Sequence, residues 1–332
     1  MFVRACSQPK LPIKTPRFVR KARRLQKKRD VQLKTLVDDI SGIANQEVDR
    51  LRDIAKELAK DNRVLFINRP MDWLTRSKSF FKENAFTVLR KKVLNGEISE
   101  YERINSNLTV FTPKMVIPSI NFFPDGKLFD WANKKVNAQF SRVIKRAIAH
   151  VGFSDFILFN DSDMFRGFYL KEMLQPDTYI YYSRDNLIFT AYYKKHGRRL
   201  EPVLMAKSDV CVANSEYLAK ICGKYNPHSY DIGQGVDLTE WNPSEYDSKA
   251  ADLEGINGPI IGYVGSLLAM RLDIELLEQL ASSHTHWNFV FVGPEDEAFT
   301  KSKLHQRTNV FFIGPKRPEE LPAYVHSFDV CI

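Results

Sequence analysis

Short apolar runs that alternate with helix-forming segments constrain the fold of this chain more than any other feature of its sequence. Each run is five to seven residues long and rich in β-branched and aromatic residues, which is typical of buried β-strands. Strands that are apolar along their whole length indicate a parallel sheet covered on both faces. The predicted strands are Arg63–Asn68, Asp155–Phe159, Thr178–Ser183, Asp209–Ala213, Pro259–Gly265, Trp287–Gly293, Asn309–Gly314 and Phe328–Ile332.

Between these runs, apolar residues recur at the three- and four-residue spacing of an amphipathic helix. Such stripes span residues 48–58, 140–151 and 272–280. The resulting alternation of strands and helices predicts an α/β protein built from two Rossmann-like, doubly wound domains. A chain of 332 residues is long enough to give each domain its own core.

A glycine-rich segment at residues 233–258 interrupts this alternation and contains Asn242-Pro243. Few of its residues are aliphatic, so it predicts a crossing between domains, where a ligand cleft commonly forms. The sequence therefore predicts a basic, disordered arm at residues 1–34, an N-terminal domain at 35–238, a linker at 239–258 and a C-terminal domain at 259–332.

The net charge of +9 comes from the arm, which holds 12 of the 49 basic residues and one of the 40 acidic residues. The remaining 37 basic and 39 acidic residues leave the folded body slightly acidic. Three interpretations of the arm stay open: a leader without function, a segment attracted to anionic lipid, and a nucleic-acid-binding segment. The last is disfavoured because no aromatic residues interleave the charges.

Several function classes lack support in the sequence. The four cysteines, at positions 6, 211, 222 and 331, form no CxxC pair, which argues against a zinc site and a disulfide framework. The sequence contains no run of about 18 apolar residues, so no transmembrane helix is predicted. The basic N-terminus lacks the apolar region of a secretory signal. We therefore expect a cytoplasmic protein.

A glycine-containing turn closes the predicted strand Pro259–Gly265 and is the best candidate for a phosphate contact. Gly265 and Ser266 lie where backbone N–H groups can approach a phosphate, and the next helix is expected to direct its positive end towards it. Arg271 follows in the same connection, where a guanidinium can bind a diphosphate through two hydrogen bonds.

An ordered set of motifs resembles the GT-B glycosyltransferases of the large retaining group that builds bacterial surface polysaccharides. The set begins with AKSDVCVANSEYLA and GQGVDLTEWNP. It continues with PIIGYVGSL, FVFVGPEDE and VFFIGPKRPEELPAYVHSFDVCI, all between Ala206 and Ile332. The resemblance implies the GT-B fold, with an acceptor-side N-terminal domain and a donor-binding C-terminal domain. It also implies a nucleoside-diphosphate sugar as donor substrate, with no metal and no other cofactor.

The same resemblance assigns donor contacts to Gly265, Ser266 and Arg271, and adds Gly314 and Lys316. Lys316 supplies a second positive charge or lines the base pocket, or else it is a solvated loop lysine. Two departures from the family pattern are visible. The opening strand of the first domain is hard to find, and the acidic motif expected after the last strand is absent, so we expect a fragment whose second domain is incomplete.

Candidate acceptor-side residues follow the strand Thr178–Ser183. A polar residue at this strand end faces the cleft in the resembling family, so Arg184 and Asp185 are the predicted catalytic residues. The alternative for Asp185 is a helix N-cap. Asp161 and Asp163 form a DxD pattern after another strand, which we interpret as a cap and β–α loop rather than a metal site. Its place at the carboxyl end of a strand still allows a contact with the acceptor. His196 is expected on the surface at a helix end.

Two functions from different classes remain. The first is a glycosyltransferase of cell-surface glycan biosynthesis that uses a nucleotide sugar and a glycan or lipid-linked acceptor. The second is a catalytically inactive fragment or binding module that retains the fold. An anionic membrane is a possible peripheral partner at the inner face of the membrane, and nucleic acid is not an expected one because the folded body is slightly acidic.

Overall fold

The structure, a computed structural model, describes residues 2–5, 51–78, 85–234 and 249–332. The chain divides into two compact units, Met1–Val236 and Asp237–Ile332. Each described unit has its own sheet and its own buried clusters. The predicted α/β fold class with two Rossmann-like units is confirmed.

The strands of the first unit lie in one large and one small sheet. Their bounds are β1 (Phe2–Ala5), β2 (Val64–Ile67), β3 (Met71–Asp72), β4 (Tyr101–Arg103), β5 (Leu108–Phe111), β6 (Val116–Ile117), β7 (Phe156–Asp161), β8 (Thr178–Ser183), β9 (Val210–Ala213) and β10 (Ser229–Asp231). The large sheet has the order β10-β9-β8-β7-β1-β2-β5-β4, and β3 pairs with β6. Six strands of the large sheet run in one direction, while β1 and β4 run against their neighbours.

Strand β1 corrects part of the predicted arm. Its four residues pair with β2 on one side and β7 on the other, and Val3 lies opposite both Leu65 and Leu158. Because buried backbone N–H and C=O groups need hydrogen-bond partners, the facing edges of β2 and β7 require a strand between them. The prediction of a disordered arm is therefore wrong for Phe2–Ala5, and the rest of residues 1–34 lies outside the described residues.

The helices of the first unit cover both faces of the large sheet. They are α1 (Leu51–Leu58), α2 (Trp73–Lys78), α3 (Ala85–Asn95), α4 (Lys127–His150), α5 (Leu170–Leu174), α6 (Ala191–Lys207) and α7 (Glu216–Gly223). Strand β8 shows the two-sided burial that the sequence predicted. Tyr179 and Tyr181 belong to one buried cluster, while Ile180 and Tyr182 belong to the other. Burial of each such side chain contributes roughly 1.5–3 kcal/mol.

The second unit contains a smaller parallel sheet. Its elements are β11 (Ile260–Val264), α8 (Ile274–Ser283), β12 (Asn288–Val292), α9 (Glu297–Thr300), β13 (Val310–Phe312), α10 (Leu321–His326) and β14 (Val330–Cys331). The strand order is β13-β12-β11-β14, and every pair is parallel. Alternate residues of β12 again enter different clusters, Phe289 and Phe291 on one face and Val290 and Val292 on the other.

The last ten residues of the predicted linker pack into the second unit. Ala250, Leu253 and Ile256 are buried in the same cluster as Val290. The backbone N–H of Ala250 also donates to the Ser327 hydroxyl at 2.9 Å. An apolar residue at every third position explains this packing, and residues 249–258 therefore belong to the second unit rather than to a free linker. Residues 235–248 lie outside the described residues.

In the part of the chain that the structure describes, no helix has both the length and the apolar character needed to cross a membrane.

Candidate functional site

Charged side chains of the first unit gather where its parallel strands end. Strand β7 ends in Asp161 and is followed by Ser162 and Asp163, and strand β8 is followed by Arg184. In an open α/β sheet, ligands bind outside the carboxyl ends of the strands, so this edge is the expected place for a site.

Ser162 joins the two strand ends. Its hydroxyl donates to the Tyr182 carbonyl at 2.9 Å and accepts from the Arg184 backbone N–H at 3.2 Å. Its φ of 51° lies in the left-handed region, which costs a non-glycine residue roughly 1–3 kcal/mol. Strain of this size persists only where surrounding contacts impose it, and here those contacts fix the aspartates on either side of Ser162.

The structure brings the two predicted catalytic residues, Arg184 and Asp185, together with Asp161. The Arg184 guanidinium lies 3.7 Å from an Asp161 oxygen and 3.6 Å from an Asp185 oxygen. Asp185 is largely exposed, and its carboxylate caps no helix. The following 3₁₀ helix has Asn186 at its N-cap and no side-chain cap bond. The alternative interpretation of Asp185 as an N-cap is therefore wrong.

Asp161 is the functional candidate that the sequence analysis underrated. Its side chain is only 6% exposed, and its Oδ1 has no hydrogen-bond partner among the described residues. A buried acceptor without a partner costs about 1–3 kcal/mol, so a protein retains one chiefly where a ligand or water completes it. A carboxylate oxygen in this position can accept the hydrogen of a substrate hydroxyl.

Asp163 has a different, structural role. Its carboxylate accepts from the Arg166 side chain and backbone N–H, both at 2.9 Å, and lies 3.8 Å from the Arg69 guanidinium. Burial opposes its ionisation, but these arginines and the backbone bond hold the pKa of Asp163 at about 2. The predicted β–α loop is present around Asp163, but Asp163 is not a helix N-cap, because α5 begins at Leu170 with Tyr169 at its N-cap. Across the described residues, no three His, Cys, Asp or Glu side chains form a group suited to a metal ion.

His196 corrects another expectation. It is fully buried rather than on the surface, and its ring stacks on Phe129 with centroids 3.6 Å apart. Its Nδ1 lies 3.1 Å from Asp125, which also binds Arg199 at 2.7 Å. Bonds from Arg199 and then His196 lower the pKa of Asp125 to about 2. Because the imidazole is enclosed by aromatic and polar partners, it stabilises α6 and the chain before α4.

Three glycines mark the carboxyl ends of strands in the second unit. Gly265, Gly293 and Gly314 follow β11, β12 and β13 and all have positive φ. A Cβ on Gly293 would come within 1.8 Å of the Gly265 carbonyl oxygen, so the two turns approach too closely for any other residue there. The sequence-predicted donor residues Gly265 and Gly314 therefore lie on one edge of the second sheet.

The loop after Gly265 carries Ser266 and Arg271 before α8 begins. Arg271 is exposed and lines an open cavity of about 480 Å³ formed by residues 269–275. The helix start is already capped, because the Asp273 carboxylate accepts from the Leu276 N–H at 3.1 Å. The Asp273 carboxylate would repel a phosphate at the start of α8. The predicted anion contact therefore depends on Arg271 and the loop amides rather than on the helix end.

Lys316 is engaged inside the second unit rather than solvated. Its ammonium lies 2.5 Å from an Asp252 oxygen, which also accepts from the Tyr324 hydroxyl. The hydrogen bond to Asp252, followed by that to Tyr324, raises the pKa of Lys316. The pair connects the loop after β13 to the 3₁₀ helix Ala251–Leu253. The charge of Lys316 is therefore largely neutralised by Asp252.

Comparison with known proteins gives one sequence relative and a set of structural neighbours. No known family profile matches the chain. The chain is 26% identical over 159 residues to a Bacillus subtilis (strain 168) protein named as the teichuronic acid biosynthesis glycosyltransferase TuaH. That match covers 45% of this chain and 38% of the relative, well under half of its length.

Among solved structures, Anabaena Alr3699/HepE in complex with UDP superimposes with a TM-score of 0.50 at 14% identity. The superposition covers 80% of this chain and 72% of that one. The same protein in complex with UDP and glucose gives a TM-score of 0.49, also at 14% identity and with the same coverage. The fold of this chain is thus that of a protein crystallised with a nucleotide.

Proposed function

We propose that this protein is a glycosyltransferase that moves a sugar from a UDP-sugar to a polysaccharide or lipid-linked glycan of the cell surface. The observation that carries the proposal is the 26% identity to a named teichuronic acid biosynthesis glycosyltransferase over 159 residues. The choice of UDP among nucleotides is supported by the structural neighbour crystallised with UDP. The retaining course of the reaction and its independence of metals and other cofactors are part of the same proposal.

The second unit is the proposed donor side. Sugar transfer requires that charge developing on the leaving diphosphate be stabilised by preorganised donors. Ser266 offers its backbone N–H and hydroxyl at the strand end beside Gly265, whose own N–H donates to the Val292 carbonyl. The exposed Arg271 guanidinium offers a charge-assisted contact. Gly314 closes the neighbouring strand end, and Lys316 supports that loop through Asp252.

The first unit is the proposed acceptor side. Arg184 and Asp185 keep their predicted catalytic role, and Asp161 joins them because its free Oδ1 can accept the hydrogen of an acceptor hydroxyl. Arg184 contacts both carboxylates, so it holds them at a fixed separation.

One observation favours the alternative of a binding module without transfer activity. In the second unit, the start of α8 is capped by Asp273 and the charge of Lys316 is neutralised by Asp252. Arg271 is then the predicted donor residue whose charge is not paired with any of the described residues. The module would retain sugar or nucleotide binding without turnover.

Calorimetric titration of UDP and GDP, together with UDP-glucose turnover, tests the donor assignment. We expect UDP to bind more tightly than GDP. Arg271→Ala should lower turnover by roughly 3 kcal/mol of transition-state stabilisation, or about a hundredfold, without lowering the thermal midpoint. Arg307→Ala, at an exposed arginine of the same unit, is the matched control. UDP binding without turnover supports the module, and absence of UDP binding refutes the proposed UDP-sugar transferase.

Localisation belongs to the proposal as well. We place the protein in the cytoplasm, with peripheral contact at the inner face of the membrane through the basic residues of the arm. Eleven basic residues lie at positions 6–34, outside β1, and attract anionic lipid headgroups by about 1 kcal/mol per charge close to the surface.

A further inference from the structure

A cavity of about 330 Å³ opens in the first unit beside the strand-end aspartates. Its walls come from the region of α2, from residues 117–121 and α4, and from the loop that contains Arg166. The volume lies within the range of small-molecule pockets, and the lining mixes aromatic and polar side chains as such pockets do. None of the residues predicted from the sequence as site residues lines it.

Asn133 offers this cavity a hydrogen-bond donor. The side chain is 1% exposed, and its Nδ2 has no partner among the described residues. Neighbouring bonds fix its orientation. The Tyr169 N–H donates to Asn137 Oδ1 at 3.1 Å, so Asn137 Nδ2 must be the group that donates to Asn133 Oδ1, also at 3.1 Å. The amide nitrogen of Asn133 is consequently the atom left for a ligand, and leaving it unpaired in the core is costly.

Asn121 offers the same cavity an acceptor. Its Nδ2 donates to the Tyr192 carbonyl at 3.2 Å, while its buried Oδ1 has no partner in the described part of the chain. Phe129, Phe165 and Tyr192 supply aromatic faces in the lining. A ligand that carries several hydroxyl groups on an otherwise apolar ring, as a sugar does, satisfies both amides and packs against these rings.

The charged side chains that line the cavity are Asp72 and Arg166, and further guanidinium groups lie close to them. Arg166 lines it and binds Asp163, and Arg69 approaches the same carboxylate. Burial lowers the pKa of Arg90, and the nearby Arg166 and Arg69 lower it further while Asp72 raises it. Three guanidinium groups thus lie near two carboxylates. A negative substituent on the ligand would balance the remaining positive charge.

We propose that this cavity binds a sugar unit of the acceptor that carries an anionic substituent, a carboxylate or a phosphate. Asn133 Nδ2 donates to a ring oxygen, Asn121 Oδ1 accepts from a hydroxyl, and the charge of Arg90 and Arg166 stabilises the substituent. The assignment rests on the proposed glycosyltransferase function, since that function supplies the acceptor.

Ligand-observed NMR titration of the full chain with three probes tests the proposal. Methyl β-D-glucuronide carries a carboxylate, glucose 6-phosphate carries a phosphate, and methyl β-D-glucoside carries neither. We expect at least one charged probe to bind about tenfold more tightly than the neutral probe, which corresponds to one added charge-assisted contact. The tighter of the two charged probes identifies the substituent.

Three variants locate the binding. Asn133→Asp keeps the oxygen that Asn137 requires but replaces the free donor with a negative oxygen, so binding of the charged probe should be lost. Arg90→Gln should remove most of the preference for charge and leave glucoside binding unchanged. Arg63→Gln is the matched control, because Arg63 lines a different cavity at the amino end of β2. Arg90→Gln decides the question by itself if Asn133→Asp does not fold.

Equal binding of charged and neutral probes, binding of none of them, or equal effects of Arg90→Gln and Arg63→Gln would overturn the proposal. UDP titration of the same samples separates this outcome from failure of the proposed function. A protein that binds UDP but no probe retains the donor assignment and loses the acceptor cavity. A protein that binds a charged probe but no UDP retains the cavity and loses the transferase.

Discussion

Replacement of Asp161 by asparagine tests whether this carboxylate has a functional or a structural role. The carboxylate is 6% exposed, has one oxygen without a partner among the described residues, and meets Arg184 only at 3.7 Å. The unpartnered oxygen costs about 1–3 kcal/mol. The contact with Arg184 stabilises the folded protein by at most about 1 kcal/mol, because a third of the arginine side chain is exposed to solvent.

Asp161→Asn removes the buried charge but keeps a polar atom at the unpartnered position, so the free energy of unfolding should change by no more than about 1 kcal/mol. In a unit of this size, that is a shift of at most about 2–4 °C in the thermal midpoint. Turnover should fall by at least about a hundredfold, as expected when a group that takes a proton from the acceptor loses its charge.

Asp163→Asn is the matched control, two residues away on the same loop. Asp163 is paired with Arg166 and accepts backbone bonds, so its replacement should destabilise the protein by roughly 3–5 kcal/mol. Differential scanning calorimetry and UDP-sugar turnover measured on both variants give the comparison. If Asp161→Asn destabilises as much as Asp163→Asn and turnover stays within about threefold, Asp161 is a structural residue and the reasoning is refuted.

Three further outcomes are expected. Gly293→Ala should lower the free energy of unfolding by well over 1 kcal/mol, because its Cβ would overlap the Gly265 carbonyl, whereas Gly255→Ala, with open space at its Cβ, should change it by less than about 1 kcal/mol in urea titrations. Asp163 has a folded pKa of about 2, below the ordinary 3.8. Its contribution of roughly 2 kcal/mol is therefore complete above pH 4 and lost as the pH falls towards 2. Acid unfolding of Asp163→Asn should lack this loss, and an identical acid transition would contradict the assignment. Glutamine at the basic positions between 17 and 29 should weaken sedimentation with anionic vesicles at low salt, and unchanged sedimentation would exclude a membrane role for the arm.

Strong hydrophobic periodicity predicted most of the sheet. All eight predicted strands correspond to observed ones. Six of them consist mostly of buried residues and therefore form continuous apolar runs, whereas β13 is half-buried and β14 is exposed. The sequence analysis missed β4 and β5. Strand β4 lies at the edge of the sheet with mostly exposed residues, and β5 is a buried apolar run of only four residues, Leu108–Phe111. Edge position and short length remove the periodic signal that the prediction requires.

Strand β1 was missed for a different reason. Its four residues lie in a strongly basic segment, and charge outweighed the short apolar alternation in the sequence interpretation. Only the tertiary structure shows the need for a strand there, since β2 and β7 face each other across one strand width. Because this strand forms to satisfy the backbone groups of its neighbours, its own residues carry only a weak β-strand pattern.

The candidate site was only partly accessible to sequence reasoning because the relevant signal is a missing bond. Arg184 and Asp185 were found from their position after a strand, and the structure adds the contact with Asp161. Asp161 and Asp163 share one motif, yet one carboxylate is fully bonded and the other has a free oxygen. No sequence pattern distinguishes them, since the difference is made by Arg166 and by the turn at Ser162.

Asn133 also has a side-chain atom without a partner among the described residues, and contacts connect it to the strand ends through the cavity. Asn133 lies on the buried face of α4 among apolar residues. From the sequence alone, one asparagine in an amphipathic helix gives no indication of a ligand contact. The Tyr169 backbone N–H fixes the orientation of the Asn137 amide. Asn137 in turn donates to the Asn133 oxygen, so the Asn133 nitrogen is the atom without a partner among the described residues. Arg166 lines the cavity and binds Asp163, and Asp163 is joined through Ser162 to Asp161. Buried polar groups that the protein leaves incomplete therefore occur along one continuous stretch of the first unit. A ligand with hydroxyl groups and a negative charge is the chemistry that would complete them.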